Sequence, residues 1–104
     1  MDSEADCAEA DIPEGVPHRD LLIVNRKGLH ARASAKFVQT VERHNAVVTV
    51  TRCAETVGGR SIMGLLTLGA AQGTRILVTA EGPDAEASLD AIEALIAARF
   101  GEEE

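Results

Sequence analysis

Residues Gly28 to Phe37 read GLHARASAKF. His30 stands at the mouth of a helix-forming run, and Arg32 follows two residues later. This pairing suits covalent carriage of a phosphoryl group. The first amides of a helix have no partner within it, and the dipole end there is positive. The position favours a neutral, nucleophilic imidazole. A phosphoryl group on the ring would meet the free N–H groups of Ala31 and Arg32. The Arg32 guanidinium would add a charge-assisted contact. Gly28 lets the loop backbone approach closely. A plain surface histidine or weak cap has the same local sequence, so spacing alone leaves both readings open.

No other group competes for the chemistry. His18 and His44 read as solvated surface residues. No residues show metal-ligand spacing, and no Gly-rich nucleotide loop appears. GGRS, residues 58–61, lacks the lysine and the length of a phosphate cradle. Ser61 is the second polar group of interest. Sequence physics favours a plain N-cap for the short run IMGLLTLG. The functional alternative is a regulatory phosphosite, where a phosphate would add negative charge beside Ile62, Met63 and Leu66.

The elements that must position these residues follow from the hydropathy pattern. LLIVN, residues 21–25, is a compact apolar run and predicts a strand. Ser34, Phe37, Val38 and Val41 share one face of a helix that starts at Ala31. Asn45 suits a left-handed cap, so the helix should end near His44 and Asn45. The β-branched residues 46–52 predict a second strand, and 54–57 a shorter third. Ser61 opens a short helix that Gly64 weakens and Gly69 to Gly73 ends. Residues 74–80 form a fourth strand. Asp84 then caps a helix from Ala85 to Phe100, with Leu89, Ile92, Leu95 and Ile96 inward. The order β-α-β-β-α-β-α predicts an α+β domain with one four-stranded, mainly antiparallel sheet and three helices on one face. The other face should be more open to water.

The chain has 104 residues and a formal net charge of −7. The negative charge lies at the ends. Residues 1–18 carry Asp2, Glu4, Asp6, Glu9, Asp11 and Glu14 with no Lys or Arg, and Glu102, Glu103 and Glu104 close the chain. The body between them is mildly basic and could meet an acidic partner. The expected organisation is a flexible acidic tail over 1–19, a domain over 20–100 and an acidic tail over 101–104. Phe37 and Phe100 are the only aromatics, which argues against a stacking platform for nucleic acid. No apolar stretch is long enough to span a membrane, and the acidic N-terminus is no secretory signal. Cys7 and Cys53 lack metal spacing and read as idle thiols. A cytoplasmic monomer is the expectation.

GLHARASAKF followed by RSIMGLLTLGAAQGT resembles HPr, the histidine-containing phosphocarrier family of the bacterial phosphoenolpyruvate-dependent phosphotransferase system. The resemblance covers about residues 20–100, and two separated motifs in order are more specific than either alone. It implies an open-faced β-sandwich. It also implies that His30 accepts phosphate on Nδ1 from phosphorylated enzyme I and passes it to an enzyme IIA-type acceptor, assisted by Arg32. Ser61 matches the serine that a separate kinase/phosphorylase modifies in some members. Ile62, Met63 and Leu66 match the apolar patch that docks partners, with Ala31 at its edge. No cofactor or metal is implied. Where the family commonly has proline after HAR, this chain has Ala33, which leaves the active loop less preset. HARAS also resembles the nitrogen-related branch, whose role is regulation rather than sugar uptake.

The leading expectation is therefore a phosphocarrier that is no enzyme in its own right, since each transfer needs a partner's active site. The alternative is a non-catalytic regulatory binding module acting through Ser61 and the Ile62, Met63 and Leu66 patch. A hydrolase would need a second acid or base near His30; the local sequence offers none, so only residues distant in sequence could supply it, and a hydrolase assay would exclude it.

Overall fold

The structure, a computed structural model, describes residues 14–104. Its elements are β1 (His18–Leu22), α1 (Ala31–Glu42), β2 (Val47–Arg52), β3 (Glu55–Gly58), α2 (Ile62–Leu68), β4 (Arg75–Glu81) and α3 (Ala85–Ala97). A short turn, Arg99–Gly101, follows α3. The strands form one sheet in the order β1-β4-β2-β3, and every neighbouring pair is antiparallel. β4 therefore lies at the centre although it comes last in sequence.

Alternation along β2 and β4 divides the sheet into two faces. Val48, Val50, Ile76, Val78 and Ala80 point into the core. There they meet Phe37 and Val41 of α1, Leu65 of α2, and Leu89, Ile92 and Ile96 of α3. Thr49 and Thr79 bond to each other through their hydroxyls, as do Thr51 and Thr56. These cross-strand pairs satisfy polar groups on the more open side. Arg19 on β1 reaches Glu86, Asp90 and Glu93, a stripe along α3. Its hydrogen bonds, that to Asp90 foremost, hold the guanidinium pKa above its ordinary value.

Several boundaries differ from the sequence expectation. β1 begins at His18, so His18 and Arg19 belong to the sheet. Pairing of Leu22 with Arg75 ends the regular ladder, and Ile23 continues it through one bond to Thr74 at 2.9 Å. The apolar run 21–25 thus straddles the strand end. α1 stops at Glu42 with Arg43 as its cap in ordinary right-handed geometry. Asn45 does not take the left-handed role, because its amide is occupied by Asp84 Oδ2 at 2.7 Å. The same bond explains why Asp84, at the N-cap position of α3, makes no side-chain cap. α3 ends at Ala97, three residues before Phe100. Cys53 is disulfide-bonded, so the idle-thiol reading does not hold for it. Cys7 and most of the acidic stretch 1–19 lie outside the described residues.

Candidate functional site

Two turns meet at His30. The first is the loop Asn25–Leu29. Gly28 there has φ +67°, and a Cβ on it would sit 2.5 Å from the Ala70 carbonyl oxygen. Only glycine fits that approach. Leu29 N–H donates to the same Ala70 oxygen at 2.9 Å, joining the loop to the segment after α2. Asn25 is fully buried, and its Nδ2 donates to the Gly28 carbonyl at 2.8 Å. Together these contacts set the position from which α1 begins.

His30 is the N-cap of α1. Its Nδ1 accepts from the Arg32 backbone N–H at 3.2 Å. An atom that accepts from an amide carries no proton, so the neutral ring has its hydrogen on Nε2. The second turn is C-terminal. Arg99, Phe100 and Gly101 all have positive φ, at 58°, 56° and 80°. They turn the chain back from α3 toward the start of α1. Phe100 fills the core, and Lys36 Nζ donates to its carbonyl at 2.6 Å. Glu102 then lands beside His30, and its Oε2 accepts from Nε2. Asn25 Nδ2 holds the other oxygen, Oε1, at 3.1 Å.

The electrostatics follow from this geometry. Burial pushes the Glu102 carboxyl up. The hydrogen bonds from His30 and Asn25, with the positive charge of Lys27, outweigh it, so the carboxyl lies below its usual range. Arg26, Lys27, His30, Ala31 and Arg32 line one open cavity of about 530 Å³ with Glu102, Glu103 and Glu104. Arg26 closes one end by pairing with Glu104 at 2.6 Å.

His30, Ala31 and Arg32 are thus brought together, with Arg32 exposed on the rim. Ser61 lies apart, at the start of α2, where its Oγ accepts from the Gly64 N–H at 2.9 Å. Ile62 and Met63 are exposed, at 40% and 70%, while Leu66 is half-buried. This leaves an apolar strip on α2 beside the exposed serine. Glu102 is the residue that sequence reasoning missed. It lies in the stretch 101–104 that composition assigned to a tail, 72 positions from His30. Among the described residues no cluster of His, Cys, Asp and Glu could hold a metal ion. Among them, too, no helix is long and apolar enough to cross a membrane.

A lone histidine cap decides little about function. The family model described as "PTS HPr component phosphorylation site" matches residues 17–98, which span the whole sheet and all three helices. The chain belongs to the HPr family of phosphocarriers. It is 44% identical over 86 residues to the phosphocarrier protein HPr of Cupriavidus necator, covering 83% of this chain and 97% of that one. It is also 38% identical over 94 residues to a multiphosphoryl transfer protein of Salmonella typhimurium, covering 88% of this chain and 25% of that one. The crystal structure of HPr-C-His from Thermoanaerobacter tengcongensis superposes with a TM-score of 0.81 at 39% identity, covering 85% of this chain and 99% of that one. An HPr-family chain is a carrier of phosphoryl groups in the phosphotransferase system, not a catalyst. The open-faced, three-helix architecture expected from the element order is the fold of this chain.

Proposed function

We propose that His30 is the residue that carries the phosphoryl group, on Nδ1. It takes the group from phosphorylated enzyme I and passes it to an enzyme IIA-type acceptor. The observation that carries this reading is the placement of Nδ1. It is unprotonated and turned onto the Arg32 amide at the N-terminus of α1. A phosphoryl group there takes over that amide as a donor, at the positive end of the dipole. Arg32 supplies the mobile positive charge. Ala31, Ile62, Met63 and Leu66 form the surface that partners meet. The mildly basic body suits partners with acidic surfaces. Whether the acceptor serves sugar uptake or regulation of nitrogen and carbon use depends on the partner, not on His30.

The test is phosphate acceptance. The full chain is mixed with enzyme I, magnesium and phosphoenolpyruvate, and intact mass is read. One acid-labile phosphoryl group is expected in the wild type and in His44→Ala, and none in His30→Ala. Labelling of His30→Ala sinks the assignment.

A second reading rests on Ser61, whose exposed hydroxyl sits beside the apolar strip. A serine kinase/phosphorylase acting there would place a dianion next to Ile62 and Met63 and weaken apolar docking. Partner binding that survives His30→Ala but is lost on phosphorylation of Ser61 favours this reading.

A further inference from the structure

Glu102 is in contact with the one ring nitrogen that phosphoryl transfer at Nδ1 does not use. The contact is built rather than incidental. Three successive residues of positive φ, Arg99 to Gly101, redirect the chain. Two of them bear side chains, which rarely adopt that geometry. The buried Phe100 side chain anchors the turn, and Lys36 fixes its carbonyl. Buried Asn25 holds Oε1 of Glu102 while Oε2 takes the hydrogen of Nε2. The Asn25 amide can point only one way, because both partners of Nδ2, Glu102 and the Gly28 carbonyl, are acceptors. A chain of hydrogen bonds therefore runs from Gly28 through Asn25 and Glu102 to His30.

We propose that Glu102 is a positioning residue for phosphoryl transfer: its carboxylate holds the Nε2–H tautomer of His30 and offsets the positive charge the ring gains on phosphorylation. The proposal rests on the reading of His30 as the phosphorylated residue. In the forward step the Nδ1 lone pair attacks the donor's phosphorus. The N–P bond forms as the donor's bond to phosphorus breaks, and that electron pair leaves with the donor. Nε2 keeps its proton throughout, so the ring becomes an imidazolium facing the Glu102 carboxylate. In onward transfer the acceptor attacks phosphorus, the N–P bond breaks and its electrons return to Nδ1. The ring is neutral again without any proton having moved. A carboxylate fixed at Nε2–H lowers the cost of forming the cationic ring on acceptance, and by keeping the proton on Nε2 it lets a neutral imidazole depart in onward transfer. The carboxylate on Nε2 is that of Glu102, while Glu104 is paired with Arg26.

The experiment uses the full chain labelled with ¹⁵N-histidine, as wild type, Glu102→Ala and Glu102→Asp. Two-bond ¹H–¹⁵N spectra report the His30 tautomer, and rapid-quench mixing with phosphorylated enzyme I reports transfer. The expected wild type is in the Nε2–H form. Glu102→Ala is expected to show an Nδ1–H fraction and to accept phosphate about tenfold more slowly, as on loss of other groups that orient a functional histidine through its second nitrogen. Glu102→Asp should recover most of both. A merely structural role would leave the tautomer unchanged in a folded variant. A wild-type ring in the Nδ1–H form overturns the proposal even if the alanine variant fails to fold. So does unchanged or faster transfer in Glu102→Ala, the latter marking the acidic end as a block. A wild type that takes no phosphate on His30 removes the carrier reading itself and the transfer role with it, an outcome distinct from a normal carrier indifferent to Glu102.

Discussion

Lys36 on α1 and Phe100 beyond α3 are joined by a charge-assisted hydrogen bond, Nζ to the backbone carbonyl, at 2.6 Å. The bond fixes the left-handed turn that delivers Glu102 to His30. Replacing Lys36 by Met keeps the apolar stem and removes the donor. The expected cost is about 1 kcal/mol of stability. Hydrogen exchange at the amides of Gly101 and Glu102, which close onto Ala98 and Arg99, should speed up more than exchange in the sheet. Equal protection in Lys36→Met and wild type would show that Phe100 packing alone holds the turn.

Acid should loosen the same corner. The Glu102 carboxyl lies below its usual range in the folded chain. Around pH 4 the unfolded state therefore binds more protons, and stability rises with pH there. The contribution is complete by about pH 5 and fades as pH falls through the lowered folded value. His30 and Lys27 face this carboxyl directly, Asn25 bonds to it, and Arg26, Arg32, Glu103 and Glu104 share the cavity. Urea unfolding of wild type and Glu102→Gln should differ at neutral pH and converge in acid. A difference that persists unchanged at low pH contradicts this account.

Gly28→Ala should be among the most damaging single changes near the site. Its Cβ would lie 2.5 Å from the Ala70 oxygen and 2.9 Å from Ala71 Cα, both backbone atoms, at φ +67°. Relief requires the His30 loop to separate from the segment after α2. A loss of about 3 kcal/mol is expected, together with slower phosphate acceptance in the molecules that remain folded. Thermal unfolding and the mass assay read the two effects separately.

Ser61→Ala removes the cap that receives the Gly64 N–H. The expected loss is about 1 kcal/mol. His30 chemistry should be unchanged, because Ser61 does not line the His30 cavity. Ser61→Asp keeps an acceptor for the cap, so it should recover stability while adding charge beside Ile62 and Met63. If Ser61→Ala alters the rate of acceptance at saturating enzyme I, the two sites are coupled through the fold.

Arg19 faces three carboxylates on α3, all more than half exposed. Exposed pairs are individually weak, and only their convergence on one guanidinium gives them weight. Arg19→Met should cost about 1 kcal/mol at low ionic strength, and the difference should shrink in high salt. An effect independent of salt would assign the loss to packing of the side-chain stem.

Much of the architecture was legible because its signals are local. β-branched residues with period-two burial mark β2 and β4, and Ser34, Phe37, Val38 and Val41 mark the inner face of α1. Ser61 caps α2 as its hydroxyl suggests, and Gly69 ends that helix at φ 62°. Gly64, which weakens the helix on propensity, is there because a Cβ would lie 2.9 Å from Cβ of Val57. The misplaced boundaries are set by contacts between residues far apart in sequence. Pairing with β4 sets where β1 begins. Asp84 and Asn45 satisfy each other across two loops instead of capping their own helices.

The sequence by itself determined the order of elements, the helix mouth at His30 and the apolar strip after Ser61. Helix starts, strand alternation and caps depend on neighbours within a few residues, and GLHARASAKF contains both the cap and the start of α1. Only the tertiary structure decided what faces the other side of the imidazole. Glu102 comes from what composition marks as a solvated tail. It reaches His30 because buried Phe100, the left-handed turn and Asn25 close a loop of 72 positions. Such a contact depends on long-range packing that pays the entropy of closing the loop, and no local pattern of residue types encodes it.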